Sequence, residues 1–558
     1  MLNRFFPHCP RWDEGLSALA LGLMLVIPLL EMVLRPLFGA GIHNAPLLVQ
    51  HLGLVLAMFG ALFAERGGHL TSLGAGLPKR LTSLVTALIC GLLTYASAEF
   101  VMTEIEAGRT LAYGVPIWWI QAAMPLGFLL IGLRFALRTV SSTADSYAGI
   151  PIFAVLGGLS LFLFWQEGQP LAAIPLSHYQ ITVNPSLPAL PLFTLAGLLF
   201  AQSGAAQRLG ALLTACSGGG RMGTALATAL LCSFFTAFTG GSGVTILALG
   251  GLLLPLLIQA GFPRQQGIGL VTSASALGVL LAPSVPLLMY AIIARVPINA
   301  MFLAGLLPAL VMVGSLLLLG GFLRNPLPVI AAPENHRVPL DFRDIGRKAK
   351  AASWELAAPF VAIGALVSGM ATPTESAALT ALYALFSQVL VHRELDWPAL
   401  RKSLADCVQV IGGVMLILGM ALALTNYLVD AGIPDAAVEW VQAMIPNKWV
   451  FLLALNIFLL LAGALMEIFA AIVVLVPLLL PVALSYGIDP IHFGIIFLAN
   501  MEMGFLCPPA GMNVYFASAM FVQPVRVVAA AVLPAVGALL LGSILISVLP
   551  WLSTWHLR

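Results

Sequence analysis

Long, continuous apolar runs recur along the whole chain and restrict most strongly what it can fold into. Of its 558 residues, 60% are hydrophobic and 9% are charged, whereas soluble proteins carry about 25% charged residues. Roughly 20 apolar residues in a helix cross the hydrocarbon core of a bilayer. The runs are continuous, whereas barrel strands alternate over about ten residues. The sequence therefore predicts an all-α polytopic membrane protein in a lipid bilayer. Its net charge of +2 does not favour a nucleic-acid partner.

Four apolar runs open the chain, and cationic residues flank them on alternate sides. Because cytoplasmic flanks carry the excess of Lys and Arg, the pattern predicts a cytoplasmic N-terminus and a four-helix module that returns to the cytoplasm. The first run lacks a small-residue cleavage site and is followed by Arg35, so we interpret it as a transmembrane helix and not as a signal peptide. The runs lie at about 16–34, 45–64, 81–103 and 116–138, with flanks at Arg4, Arg11, Arg66, Lys79, Arg80, Arg134 and Arg138.

Changes in composition predict where the domains begin and end. A short polar linker precedes Gly149, where a longer second module starts. Inside that module, residues 324–350 contain six Lys and Arg side chains, which is typical of a cytoplasmic loop that joins two halves. The predicted segments are a four-helix module (1–140), a linker (141–148), a first half (149–323), a second linker (324–350) and a second half (351–558).

The two halves contain a weak internal repeat. With a shift of 226 residues, LLLPLLIQAG (252–261) falls on LLLPVALSYG (478–487), and Gly278 falls on Gly504. Prolines and glycines repeat more clearly than other residues, and they determine where helices end or bend. The flanks of the first copy are cationic and those of the second are mainly acidic, so we predict an inverted repeat, which is typical of secondary transporters.

Each copy contains an interrupted apolar run followed by a break at proline. GGSG (240–243) and MEIFA (466–470) interrupt the two runs, and the breaks follow at APSVP (282–286) and CPPAGMN (507–513). The interruptions favour re-entrant hairpins; an ordinary helix pair with an external loop is the alternative. Discontinuous helices present positive N-termini to anions and backbone carbonyls to cations, so the breaks predict a substrate and ion site.

Charged and capping residues add candidates to this site. Glu467 and Glu502 lie inside apolar runs, where ionisable residues are functional candidates by default. TPTE (372–375) has the pattern of a helix start, and Thr372 and Thr374 form a possible ion site. The sequence has no Ser/His/Asp-type set, no metal-spaced cysteine pair and no phosphate-binding loop, so we expect neither an enzyme nor a cofactor.

Several segments resemble the tripartite ATP-independent periplasmic (TRAP) transporters, in a form with fused small and large membrane subunits. LEMVLRPLFGAG and GLVLAMFGALFAERGGHL are similar to the small subunit. The segments similar to the large subunit cover nearly all of 149–558 and are FTGGSGVTILALGGLLLPLLIQAGF, APSVPLLMYAII, FLAGLLPAL, ATPTESAALTALYAL and GIDPIHFGIIFLANMEMGFLCPPAGMN.

The resemblance implies a sodium-driven importer of an organic acid, a carboxylate or sulfonate, in the bacterial inner membrane. It implies a periplasmic solute-binding protein as partner, an elevator motion, and Na⁺ as the coupling ion at backbone carbonyls near the hairpin tips and breaks. It sets no oligomeric state. Together with the intramembrane Glu467, the matching positions are Gly240, Gly241, Ser242, Gly243, Pro283, Ser284, Pro508, Pro509, Gly511 and Asn513.

The sequence departs from the family pattern at four places. The tip at 240–243 has fewer serines than is usual, Ala282 replaces a proline, and Cys507 replaces a threonine, which leaves the sodium stoichiometry open. The apolar stretch that usually precedes Gly149 is replaced by the short linker. The alternatives are an anion permease that works without a binding protein, a membrane enzyme and a membrane scaffold.

Overall fold

The computed structural model describes residues 12–38, 41–42, 44–67, 70, 72–141, 147–216, 221–322, 342–507 and 511–557. Of the helices in these ranges, 13 are long and apolar enough to cross a membrane, or up to 15 with two bent pairs counted as single spans. This confirms the predicted polytopic helical fold. The chain divides into two compact units, one of Met1–Leu192, Pro373–Ala378 and Arg401–Ala436, the other of Phe193–Thr372, Leu379–Leu400 and Ala437–Arg558.

The first unit begins with the four predicted helical segments. Ion pairs of two buried acids with half-buried arginines connect the first, second and fourth of them: Arg134 lies 3.1 Å from Asp13, and Arg138 lies 2.7 Å from Glu65. Because a buried charge is costly without a partner, these pairs fix how the helices meet. The helices are α1 (Trp12–Phe38), α2 (Ala45–Gly67), α3 (Lys79–Ala107), α4 (Trp118–Gln121) and α5 (Ala123–Ser141), followed by α6 (Ile152–Gln166) and α7 (Ala173–Thr182).

Two short strands in the first unit were not predicted. β1 (Ser72–Pro78) and β2 (Tyr147–Pro151) pair antiparallel, with Leu73 opposite Ile150. Both segments are short and rich in Gly and Ala, which normally disfavours strands, and they are distant in sequence. The small sheet is therefore a tertiary feature that adds to the predicted all-α architecture.

The second unit contains the interrupted helices. The first bent pair, α8 (Ala189–Ala201) and α9 (Ala205–Cys216), turns by 69°, and the second, α16 (Phe342–Ala351) and α17 (Ser353–Val367), turns by 59°. Neither pair coincides with the two predicted hairpins. The predicted linker 324–350 lies outside the described residues up to 341, and its remainder belongs to helix α16.

The helices from α8 onward follow in chain order, and α8, α18, α19 and α20 each cross from one unit to the other. They are α8 (Ala189–Ala201), α9 (Ala205–Cys216), α10 (Arg221–Thr239), α11 (Ser242–Gln259), α12 (Arg264–Ala274), α13 (Val285–Ile293), α14 (Ile298–Ala304), α15 (Leu306–Leu319), α16 (Phe342–Ala351), α17 (Ser353–Val367), α18 (Pro373–Leu385), α19 (Trp397–Asp430), α20 (Ile433–Met444), α21 (Lys448–Leu465), α22 (Ile468–Ser485), α23 (Pro490–Gly504), α24 (Met512–Phe521), α25 (Val525–Val548) and α26 (Trp551–Thr554).

The repeat predicted from the sequence is visible in the helix boundaries. Adding 226 to the bounds of α11 gives 468–485, which are the bounds of α22. The packing is also reciprocal, since α11 packs on α24 while α13 packs on α22. In each copy, the helix that follows the break (α13 or α24) packs on the second arm of the hairpin of the other copy (α22 or α11). Two repeats related by symmetry pack in this way.

Matching glycines allow a close helix approach in both copies. A Cβ on Gly278 would lie 2.9 Å from the backbone nitrogen of Ala237, and one on Gly504 would lie 2.5 Å from Gly463 Cα. Adding 226 to Ala237 gives Gly463, so the two contacts are equivalent. Small residues at such crossings let membrane helices pack closely, which explains why glycine recurs at this position.

Candidate functional site

The N-terminal ends of three helices, α11, α22 and α24, line one cavity in the second unit. Its volume is about 140 Å³, below the roughly 300–1,000 Å³ of a pocket for a drug-sized ligand. The cavity therefore suits a small molecule or ions. Its lining residues are Gly240, Gly241, Ser242, Gly243, Val244, Glu467, Ile468, Phe469, Glu502, Phe505, Met512, Asn513 and Phe516.

The first hairpin tip needs glycine for both conformation and packing. Gly240 has φ +70°, a conformation that side chains other than glycine rarely adopt. A Cβ on Gly243 would lie 2.4 Å from the Phe516 ring, so α11 approaches α24 closely because this side chain is absent. Gly241 forms the N-cap of α11 without a side-chain hydrogen bond. The tip therefore leaves the positive end of α11 uncapped at the cavity.

A hydrogen bond connects this tip to the helix after the second break. Ser242 Oγ donates to Asn513 Oδ1 at 2.8 Å, and both side chains are buried. The bond fixes the amide so that Nδ2, a donor, has no hydrogen-bond partner among the described residues. Asn513 thus offers a donor beside the N-terminus of α24, whose N-cap, Gly511, makes no side-chain cap.

The two glutamates that line the cavity differ in their surroundings. Glu467 is the N-cap of α22, and its Oε2 accepts hydrogen bonds from the backbone nitrogens of Phe469 at 3.1 Å and Ala470 at 3.3 Å. Glu502, on α23, is 4% exposed, and its Oε2 has no partner in the described part of the chain. The helix end stabilises the first carboxylate, whereas no described residue donates a hydrogen bond to Oε2 of the second.

Hydroxyl groups cluster behind the first tip. Thr236 Oγ1 donates to Thr245 Oγ1 at 2.7 Å and lies 2.8 Å from the carbonyl oxygen of Ser275. Thr239 Oγ1 lies 3.4 Å from both Thr245 Oγ1 and the carbonyl oxygen of Gly241. The tip itself has one serine, so the flanking threonines supply most of the hydroxyls.

The predicted site residues do not all reach the cavity. The first tip, Glu467 and Asn513 line the cavity together, and Gly511 directly precedes the lining residue Met512. Pro508 and Pro509 lie outside the described residues. Pro283 and Ser284 are not among the described lining residues, although the next residue, Val285, packs against Gly240.

Thr372 and Thr374 are likewise not among the described lining residues. α18 begins at Pro373, as the helix-start pattern predicted. Thr374 Oγ1 donates to the carbonyl oxygen of Pro185 at 2.8 Å, and Glu375 lies 3.4 Å from Arg35. In this structure these side chains hold the start of α18 in the first unit.

The backbone carbonyls at the second break already accept hydrogen bonds. Gly511 N donates to Cys507 O at 2.9 Å, and Asn513 N donates to Phe505 O at 3.1 Å. An ion at this break would therefore use the second lone pair of these oxygens. The prediction of Na⁺ at carbonyls of the breaks remains a prediction.

Sequence reasoning missed the aromatic wall of the cavity. Phe469, Phe505 and Phe516 line it, but phenylalanines in a membrane span carry no pattern that separates a cavity wall from a lipid-facing or core side chain. Glu502 gave a signal, since a lone acid in an apolar run is unusual. The hydroxyl cluster could have been found from the threonines on either side of GGSG.

Two family models match the chain. The model described as "Tripartite ATP-independent periplasmic transporter, DctM component" matches residues 139–552. The model of the DctQ component of the same transporters matches residues 24–145. Together they account for most of the sequence, in the order that the resemblance implied.

Individual proteins agree with this assignment. The C4-dicarboxylate TRAP transporter large permease protein DctM of Pseudomonas aeruginosa is 34% identical over 71% of this chain and 91% of its own length. The isethionate TRAP transporter permease protein DctMQ of Oleidesulfovibrio alaskensis is 33% identical over 72% of this chain and 62% of its own length.

The solved structure of the Alcanivorax borkumensis YdaH transporter is similar in fold, with a TM-score of 0.52, 16% sequence identity, and coverage of 85% of this chain and 99% of that chain. The segments with broken helices lie inside the range matched by the DctM component. The chain is therefore a multi-pass membrane protein of the TRAP transporter family, a transporter permease and not an enzyme, that carries its DctQ and DctM components in one polypeptide.

Proposed function

We propose that this permease is a secondary active importer of a small organic anion, which it receives from a periplasmic solute-binding protein. The observation that carries the proposal is that three helix N-termini meet at one cavity. The N-termini of α11 and α24 have no side-chain cap, and Asn513 on α24 adds an Nδ2 donor that is not paired with any described residue. Uncapped N-termini attract anions through their backbone N–H groups and the helix dipole. No lysine, arginine or histidine occurs among the described lining residues, so these groups would supply the positive potential.

A carboxylate or sulfonate is the substrate class that fits this donor set. Both groups present several oxygens to N–H donors, and the relatives are named for a C4-dicarboxylate and for isethionate. The volume of about 140 Å³ suits a substrate with few heavy atoms. The phenylalanines of the wall would contact its carbon skeleton.

Sodium is the coupling ion in this proposal. The Thr236, Thr239 and Thr245 hydroxyls and the carbonyl oxygen of Gly241 supply neutral oxygens directly behind the first tip. Hard cations prefer oxygen ligands. Binding of an ion here would stabilise one conformation of the tip, so that the tip would respond to the Na⁺ gradient. The flanking threonines would supply the hydroxyl ligands that GGSG, with its single serine, lacks.

The remaining family features belong to the same proposal. They are the inverted repeat, re-entrant hairpins, an elevator motion, a cytoplasmic N-terminus in the bacterial inner membrane, and the domain boundaries predicted from the sequence. The reciprocal packing of α11 on α24 and of α13 on α22 supports the repeat. The alternative is an ion-coupled anion permease that works without a binding protein.

Two experiments test the proposal. Thermal-shift measurements on the cognate binding protein, with a library of carboxylates and sulfonates, should identify the ligand. Uptake of that ligand by proteoliposomes should then require the binding protein and an inward Na⁺ gradient. Uptake that proceeds equally without the binding protein would favour the alternative permease, and the absence of uptake of any organic acid would overturn the proposal.

A further inference from the structure

The cavity contains an unpaired acceptor as well as an unpaired donor. Glu502, in the last turn of α23, is 4% exposed and lines the cavity, and no described residue donates a hydrogen bond to its Oε2. Asn513 Nδ2 lies in the same lining and pairs with no described residue. A buried polar atom without a partner is unfavourable. A ligand that fills the cavity is therefore expected to accept a hydrogen bond from Asn513 and to donate one to Glu502.

The charge of the lining restricts which further groups the ligand can carry. The described lining contains Glu467 as a second acid and no lysine, arginine or histidine, and residues 508–510, outside the described part, are Pro-Pro-Ala. One acid group can bind at Asn513 and at the uncapped N-termini of α11 and α24. A second acid group would meet two glutamates, and like charges repel strongly where the dielectric constant is low. The lining therefore disfavours a dicarboxylate.

We propose that the substrate is a short acid with a single carboxylate or sulfonate group and one separate hydrogen-bond donor, a hydroxyl or an ammonium group. The acid group accepts hydrogen bonds from Asn513 Nδ2 and from the N-termini of α11 and α24, and the hydroxyl or ammonium group donates to Glu502. The cavity volume of about 140 Å³ limits the carbon chain between the two groups to a few atoms. This inference rests on the proposed function, because it names the substrate class of the same cavity.

Glu502 is in this account the residue that determines specificity. A site built to pair with a polar group of its substrate rejects the analogue that lacks this group, because the buried partner is then left unpaired. An acid without the hydroxyl or ammonium group would leave Glu502 Oε2 unpaired, and an acid with a second carboxylate would add repulsion. Both should bind more weakly by roughly ten- to hundredfold.

Equilibrium binding of acids to the purified full-length chain, in nanodiscs and in a sodium buffer without the binding protein, tests the proposal. One series of probes is propionate, 3-hydroxypropionate, β-alanine and malonate; the other is ethanesulfonate, 2-hydroxyethanesulfonate and 2-aminoethanesulfonate. A hydroxyl- or ammonium-bearing acid should bind tighter than its donor-free analogue and than malonate by roughly tenfold or more. The proposal is overturned if malonate or a donor-free acid binds as tightly as the best donor-bearing acid, or if no donor-bearing acid binds.

Variants of Glu502 show whether this side chain determines the preference. Glu502→Leu removes both oxygens, so it should bind the donor-bearing acid and its donor-free analogue equally. Glu502→Gln, which keeps the shape of the side chain, removes the charge and adds an N–H donor, so it should bind malonate more tightly than the wild type does. A purely structural role of Glu502 would not produce this gain. Unchanged preferences in the folded variants overturn the proposal.

The matched control is Glu439→Gln, since Glu439 is exposed on α20 and is not among the described lining residues. This variant should keep the affinities of the wild type for every probe. Uptake of the binding protein's own ligand by the wild type is measured separately. If that uptake persists while the binding preferences fail, the substrate class is wrong and the proposed function stands.

Discussion

Ser242 Oγ donates a hydrogen bond to Asn513 Oδ1 at 2.8 Å across 271 positions of the chain. The bond joins the tip of the first hairpin to the first turn of α24, one from each copy of the repeat. It also fixes which end of the amide is free, because Oδ1 is occupied and Nδ2 is not paired with any described residue. A single contact between the tip and α24 thus determines that the amide N–H group of Asn513, and not its oxygen, is available to a ligand.

Replacement of Asn513 should weaken anion transport. Asn513→Leu removes the free donor but keeps the branching and the number of heavy atoms of the side chain, and a hydrogen bond to a charged partner contributes about 1.5–3 kcal/mol. We expect the KM for substrate to rise by roughly ten- to hundredfold, since about 1.4 kcal/mol corresponds to a factor of ten. Concentration-dependent uptake measures this, and an unchanged KM in a normally folded variant would rule out contact with the anion. Ser242→Ala, which frees the amide to rotate, should give a smaller increase.

Removal of one hydroxyl from the threonine cluster should affect sodium dependence. Thr245→Val keeps the shape of the side chain and removes an oxygen that lies 2.7 Å from Thr236 Oγ1. We expect the Na⁺ concentration for half-maximal uptake to rise several-fold, since one hydrogen-bonding group contributes about 1 kcal/mol. The control is Thr103→Val, whose hydroxyl is exposed and bonds to the backbone of its own helix. If Thr245→Val and Thr103→Val showed the same Na⁺ dependence, the threonine cluster would not be part of the ion site.

A large side chain at the second break should disrupt it. A Cβ on Gly511 would lie 2.5 Å from Phe505 O and 2.7 Å from Cys507 O, and backbone atoms cannot move as freely as a flexible side chain. Gly511→Leu should therefore abolish uptake and lower the melting temperature. Gly537→Ala is the control for a glycine change, since a Cβ there meets nothing within 4 Å. Wild-type transport by Gly511→Leu would contradict a tightly packed break.

The equivalent glycines of the two copies should respond alike. Gly278→Ala and Gly504→Ala each place a Cβ less than 3.0 Å from neighbouring backbone. Overpacking of this kind destabilises a core by about 1–3 kcal/mol. Thermal unfolding in detergent should show a lower midpoint for both variants and little change for Gly537→Ala. A large effect in one copy and none in the other would argue against structural equivalence of the repeats.

Much of the fold could be predicted because helix breakers act locally. Gly240, Gly241 and Pro283 mark places where a helix does not continue, and the structure interrupts helices there, while Pro286 lies in the first turn of α13. The 226-residue repeat was recognisable for the same reason. Interactions between distant residues could not be predicted, since Ser242 and Asn513 are common polar residues whose pairing depends on the tertiary fold.

The division into units could not be predicted from composition. The first unit combines Met1–Leu192 with Pro373–Ala378 and Arg401–Ala436. Helices α18 and α19 each continue from one unit into the other without a polar linker at the boundary. A polar linker marks a boundary where the chain passes once from one domain to the next. Where the chain passes between units in the middle of a continuous helix, the composition does not change at the boundary.

The central claim is that the permease binds an organic anion in the cavity at the two hairpins and imports it together with sodium. Proteoliposomes of the full-length chain, supplied with the loaded binding protein, test it by uptake of the labelled ligand. The account predicts accumulation above equilibrium under an inward Na⁺ gradient, no accumulation with choline in place of Na⁺, and strongly reduced uptake by Asn513→Leu. Equal accumulation with and without Na⁺, or full uptake by a folded Asn513→Leu variant, would contradict it.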